Sequence, residues 1–215
     1  MTPEAFVAEL DGEIERALAR IGELSAAGEP GGEITVTKLL VLALKNELEA
    51  SEEAALWMAS ERDTEVKLAL ARQCGDEAKH YRLIEKRLGE LGVAAPVDPG
   101  APSPMYRWLA SLETTVERIA AGPFAREALA TVRNRVFADW CAAQGDDETA
   151  ALYRNTIDPD EHHHHALGRR LLLRFAVDPA TQDKARAAAL RTLALAEEIQ
   201  ETARLQRGIC RAPGC

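Results

Sequence analysis

Asp76-Glu77-Ala78-Lys79-His80 and Asp160-Glu161-His162-His163-His164 are two copies of one pattern, Asp-Glu-x-x-His, with their glutamates 84 residues apart. Each runs on into basic, leucine-rich sequence, Arg87-Leu88 after the first and Arg169-Arg170-Leu171 after the second, so the half-chains read as a weak internal repeat. On a helix, positions i and i+3 share a face. Glu77 and His80 therefore offer a carboxylate and an imidazole to one point, and Glu161 and His164 do the same. Both pairs fall on apolar stripes: Glu77 with Leu70, Cys74, Ile84 and Leu88, Glu161 with Tyr153, Ile157, Leu171 and Phe175. Charged groups on a core-facing stripe need a partner that offsets their desolvation. A pair of divalent metal ions is such a partner.

Working outward, the chain reads as helices throughout. Ala and Leu together make 65 of its 215 residues and Val and Ile only 18, which favours helix over strand. Phe6, Val7, Leu10, Ile14, Leu18, Ile21 and Leu24 repeat at helical spacing and stop at Gly28, Pro30, Gly31 and Gly32. A second helix is expected from about Thr35 to Ser60, a third from Thr64 to Leu91, a fourth from Ser103-Pro104 towards Ala143 and a fifth from Asp146 to Phe175. Gly122-Pro123 should kink or break the fourth, and Asp158-Pro159 interrupts the fifth. A last helix opens at Asp178-Pro179 and reaches about Gln206. The proline-rich loop 94–104 divides the chain near its middle. Four long helices in two antiparallel pairs fit a four-helix bundle, with the first and last helices packed outside it. Residues 1–209 are expected to form one all-α domain, with its core bundle at about 35–177 and an irregular tail at 210–215.

A bundle site of this kind takes one further carboxylate from each of the other two helices. Glu47 lies 30 residues before Glu77, and Glu127 lies 34 before Glu161. Glu127 is the only carboxylate between Glu117 and Asp139; Glu113 and Glu117 are its runners-up. Glu47 has Glu49, Glu52 and Glu53 as neighbours, so a solvated acidic face is its alternative. Asp158, Pro159 and Glu161 also read as a helix-opening capping box, and His165 is the alternative ligand to His164. Cys74, Tyr81 and Tyr153 read first as core residues.

With these residues assembled, the arrangement resembles the ferritin-like superfamily of carboxylate-bridged di-iron proteins, over roughly residues 35–177. Asn46-Glu47-Leu48-Glu49-Ala50 resembles the first-helix ligand segment of bacterioferritins and rubrerythrins. The resemblance implies a ferritin-like bundle. It implies Glu47, Glu77, His80, Glu127, Glu161 and His164 as metal ligands, with Glu77 and Glu161 bridging and central to catalysis. It implies two iron ions, with manganese or a mixed manganese/iron pair as variants, and O2 or peroxide acting with them on a small organic substrate. An electron-donor protein and a homodimer are compatible with it. The unequal spacings look more like the oxygenase and ribonucleotide-reductase-type members than the symmetric storage members. Iron oxidation, storage or peroxide scavenging is the alternative function, and a metal-free helical interaction module the alternative from another class.

The remaining features mostly exclude. A net charge of −9 argues against nucleic acid and anionic membrane as partners. The longest apolar run, Leu39 to Leu44, is far short of the roughly 20 residues a membrane span needs. The N-terminus has no signal-peptide pattern, and four scattered cysteines suit a reduced, cytoplasmic setting. Cys210 and Cys215 could pair or bind metal, but a lone Cys-x4-Cys is not specific. There is no phosphate-binding glycine loop, nucleophile elbow or His-Glu-x-x-His zinc motif.

Overall fold

The computed structural model describes residues 1–26, 34–98 and 100–214. The expected helix stop at Gly28–Gly32 and Cys215 lie outside them. All regular structure among the described residues is helical. The bundle is built on α2 (Val36–Ser60) and α3 (Thr64–Glu90), followed by α4 (Pro104–Ala110), α5 (Thr115–Ile119), α6 (Glu127–Ala143), α7 (Asp147–Leu152) and α8 (Asp158–Phe175). Two π-helical segments, Ala120–Arg126 and Tyr153–Ile157, join α5 to α6 and α7 to α8 without a break in the rod. Outside the four rods lie α1 (Pro3–Ala26), packed on α6, α8 and α9, and α9 (Pro179–Arg207), packed on the first π segment.

Local chemistry sets these boundaries. Thr35 caps α2 by accepting from the Lys38 amide at 3.2 Å, and Asp63 caps α3 by accepting from Glu65 and Val66, both at 3.1 Å. The expected single helix from 104 to 143 is interrupted at 111–114. Thr114 and Glu117 form a capping box that starts α5 afresh. The expected kinks at Gly122-Pro123 and before Pro159 take the form of π segments. Proline has no N–H to close the i→i−4 ladder, and re-registering to i→i−5 keeps the rod going. Because α8 continues out of such a segment, no capping box forms at Asp158: its N-terminal flank is Ile157, with no side-chain cap, and Glu161 turns inward.

The π segment packs very closely. A Cβ built on Gly168 of α8 would lie 2.6 Å from backbone atoms of Pro123 and Phe124, and one on Gly122 would lie 2.6 Å from the Trp57 ring. Only glycine permits these approaches.

The buried apolar side chains form two clusters. One gathers Trp57, Leu70, Phe124, Leu129 and Leu171 with α1 and α9; the other gathers Leu40, Leu44, Ile84, Leu88, Phe137 and Tyr153. Along each rod the sequence passes from one cluster to the other through a buried polar stretch: Glu47 and Glu53 on α2, Gln73, Glu77 and His80 on α3, Arg126, Glu127 and Asn134 on the α6 rod, Glu161 and His164 on α8. The bundle therefore has a polar waist between two apolar halves.

Candidate metal centre

The waist brings all six predicted side chains together. Glu47, Glu77, His80 and Glu161 form one group, and Glu77, Glu127, Glu161 and His164 a second. Within each group, one potential ligand atom per residue lies within 4.8 Å of every other. Glu77 and Glu161 belong to both groups, so each has an oxygen for either side. None of the six is more than 2% exposed.

The two halves mirror each other. His80 Nδ1 lies 3.4 Å from Glu47 and 3.3 Å from Glu77; His164 Nδ1 lies 3.6 Å from both Glu77 and Glu161 and 3.7 Å from Glu127. Each outer ring nitrogen is held from the opposite motif: His80 Nε2 by Asp160 at 3.1 Å, His164 Nε2 by Asp76 at 3.1 Å. A carboxylate only accepts, so Nε2 donates in both rings, and Nδ1 is the nitrogen that faces the centre and that a metal ion would take once its proton is lost. Lys79 pairs with Asp160 at 2.6 Å and Arg72 with Asp76 at 3.3 Å. Burial would raise the Asp160 carboxyl, but its hydrogen bonds from Lys79 and His80 outweigh burial and hold it below the usual range.

Glu127 is fixed by Gln73, which donates to its Oε1 at 2.5 Å, and by Arg126 at 3.1 Å. Arg126 also pairs with Glu53, which is buried on α2. The acidic run 49–53 is thus not one solvated face: Glu52 is exposed and Glu53 is in the waist. The runners-up to Glu127 go elsewhere. Glu117 caps α5 and Glu113 is exposed. His165 donates Nδ1–H to the Phe124 carbonyl at 2.7 Å and stacks on the Phe124 ring, so it stays out of the cluster. His162 is exposed beside Asp158. Tyr153 is fully buried, packed edge-on to Phe137 at 4.9 Å.

The electrostatics call for positive charge. Burial raises the Glu47 carboxyl to about 7, and burial with the charges of Glu77 and Glu127 raises Glu161 well above the carboxylate range. Burial alone would lower both imidazoles, but the surrounding carboxylates hold His80 up at about 11 and His164 at about 9. Glu77 Oε1, His80 Nδ1, Glu127 Oε2, Glu161 Oε2 and His164 Nδ1 are buried without a hydrogen-bond partner among the described residues. Five orphaned atoms facing one another is a costly arrangement for a protein interior. Once deprotonated, the four glutamates would carry the charge that two divalent cations neutralise, and carboxylate oxygen with imidazole suits iron or manganese. The residues fit a two-ion centre.

Sequence reasoning passed over Asp76, Asp160, Gln73, Glu53 and Arg126. The signal for the aspartates was present: both motifs open with the same Asp-Glu pair.

No family model and no curated protein matches the sequence. Among solved structures, the chain matches a domain of unknown function with a haem oxygenase-like fold from Shewanella denitrificans OS217. The TM-score is 0.64 and the identity 13%, over 97% of this chain and 96% of that one. The fold is haem oxygenase-like. At that identity the likeness concerns the fold alone, and it gives the expected all-helical bundle, with its extra helices at both ends, a more particular form. Among the described residues no helix is long and apolar enough to cross a membrane.

Proposed function

We propose that this protein is a non-haem di-iron oxidoreductase that activates O2 or peroxide in the waist and oxidises a small organic substrate. The observation that carries the reading is the pair of four-residue groups sharing Glu77 and Glu161, each with orphaned ligand atoms turned inward. Glu47 and His80 would hold one ion, Glu127 and His164 the other, with Glu77 and Glu161 between them. Bound there, two redox-active ions supply electrons for reduction of O2 or peroxide. Manganese in one or both positions is compatible with the same donors.

The chain's own residues supply the rest. Asp160 and Asp76 fix the tautomer and aim of the two imidazoles. Gln73 and Arg126 hold one oxygen of Glu127 and leave the other to the centre. The two apolar clusters exclude water on either side, which strengthens every interaction between them.

The test is anaerobic titration with ferrous ion, then exposure to O2 with oxygen uptake and near-ultraviolet absorption followed. Saturation at two irons per chain and prompt oxygen uptake, both lost in Glu77→Ala and Glu161→Ala, are expected. No iron binding, or the same iron binding in both variants, would overturn the reading. Uptake of many irons per chain would point to storage.

A further inference from the structure

Beyond α9 the described residues, through Gly214, stay on the protein. Gly208, at φ 67°, turns the chain back, and 208–214 runs as a strap to the waist of the bundle. Gln200 Nε2 donates to the Cys210 carbonyl at 3.2 Å. The strap then reaches two asparagines. Asn46 Nδ2 donates to the Pro213 carbonyl at 3.0 Å, and the Gly214 amide donates to Asn134 Oδ1 at 2.8 Å. A Cβ on Gly214 would lie 3.6 Å from Glu47 Oε1. At Gly214 the strap therefore lies beside a carboxylate of the candidate metal centre.

The two asparagines read the strap as a peptide: a donor for its carbonyl and an acceptor for its N–H. Asn134 is fully buried, and its Nδ2 has no partner among the described residues, so the clamp holds one donor in reserve for a further acceptor. A cavity of about 580 Å³ opens beside the clamp, lined by Asn46 and by Ala212 of the strap. Its charged lining is cationic on balance: Arg107, Arg133 and Arg207 outnumber Glu198, while Lys45 is paired with Glu49 at 3.0 Å. That volume suits a small organic ligand, and a cationic wall in an acidic protein selects an anion.

We propose that Asn46 and Asn134 form an amide-recognition site beside Glu47 for a short peptide carboxylate or N-acyl amino acid, and that the strap occupies it as a built-in competitor. The ligand enters through the cationic cavity, takes the place of Pro213–Gly214, and sets its carboxylate oxygen on Asn134 Nδ2. The site rests on the metal reading only for what the bound ligand meets next.

The test uses metal-free, full-length protein and the peptide Ac-Ala-Pro-Gly, so failure of metal binding leaves it intact. Gly214→Val releases the strap, because a β-branched residue is strained at φ 75°. Hydrogen exchange across 208–214 should quicken in this variant. Calorimetry should show the peptide binding about tenfold more tightly than to the wild type, since the strap no longer fills the site. Adding Asn134→Leu, or Asn46→Ala as a milder change, should abolish that gain. Equal peptide binding in wild type and a strap-released Gly214→Val would overturn the proposal, as would a gain that survives loss of both asparagines. Unchanged strap exchange in both Gly214→Val and Asn134→Leu would also overturn it, because the clamp would then not be what holds the strap.

Discussion

His80 and His164 take their orientation from each other's motif. Asp160, one residue before Glu161, holds His80; Asp76, one residue before Glu77, holds His164. Asp160→Asn and Asp76→Asn should therefore each weaken metal affinity by about 10- to 100-fold while leaving the helical circular dichroism unchanged. Binding isotherms for Mn(II) or anaerobic Fe(II) check this. The same residues set a pH dependence. Folded-state values of about 11 for His80 and about 9 for His164 lie above the ordinary imidazole value. Their contribution to metal-free stability is thus complete below about pH 6.5 and fades as pH rises through about 9 for His164 and about 11 for His80. Metal must displace the same protons, so its affinity rises with pH. The melting temperature of metal-free protein should fall between pH 6.5 and 9 while the increment from added metal grows; a shrinking increment would contradict the protonation states assigned. At this scale the glutamates and histidines were legible, because a charge on an apolar stripe is conspicuous in sequence. The aspartates were not. Alone on its helix, Asp76 is a half-exposed acid, and its role exists only across the bundle.

Among the elements, the π segments decide the geometry. Asp146 caps α7 as Asp63 caps α3, yet Glu161 lies fifteen residues after its cap where Glu77 lies fourteen after its own. The segment Tyr153–Ile157 takes up that extra residue, as a π turn does. Gly-Pro and Asp-Pro announced irregularity at the right places. Sequence could not tell a π turn from a kink, since that depends on what packs against the freed carbonyls. Here the Phe124 carbonyl receives His165, and Gly168 lets α8 approach. Gly168→Ala should cost about 1–3 kcal/mol, because the Cβ would press on backbone that cannot move aside. For a chain of this size that is a melting temperature lower by about 2–12 °C, and thermal denaturation measures it. A change within error would mean that the close approach is not real. The break at 111–114 stayed hidden because amphipathic spacing runs across it, although Thr114 and Glu117 already spelled a capping box.

Across the whole molecule, the helices and their pairing were readable from periodicity and turn residues, whereas the strap was not. Residues 208–214 have neither periodicity nor regular structure, and their position depends on asparagines far away in sequence. The larger consequence lies in the waist. A bundle with four carboxylates between two apolar clusters is destabilised until cations enter, and any ligand that binds only the folded state adds stability. At a hundredfold excess over its dissociation constant, Fe(II) or Mn(II) should add about 2.7 kcal/mol. This raises the melting temperature by about 5–10 °C, an effect that a chelator reverses and Glu77→Ala removes. The most direct test is anomalous diffraction from crystals soaked in Mn(II). Two peaks about 3.5–4 Å apart, flanked by Glu77 and Glu161 with one imidazole on each side, are predicted; an empty waist at saturating Mn(II), with all six side chains ordered, would contradict the two-ion centre.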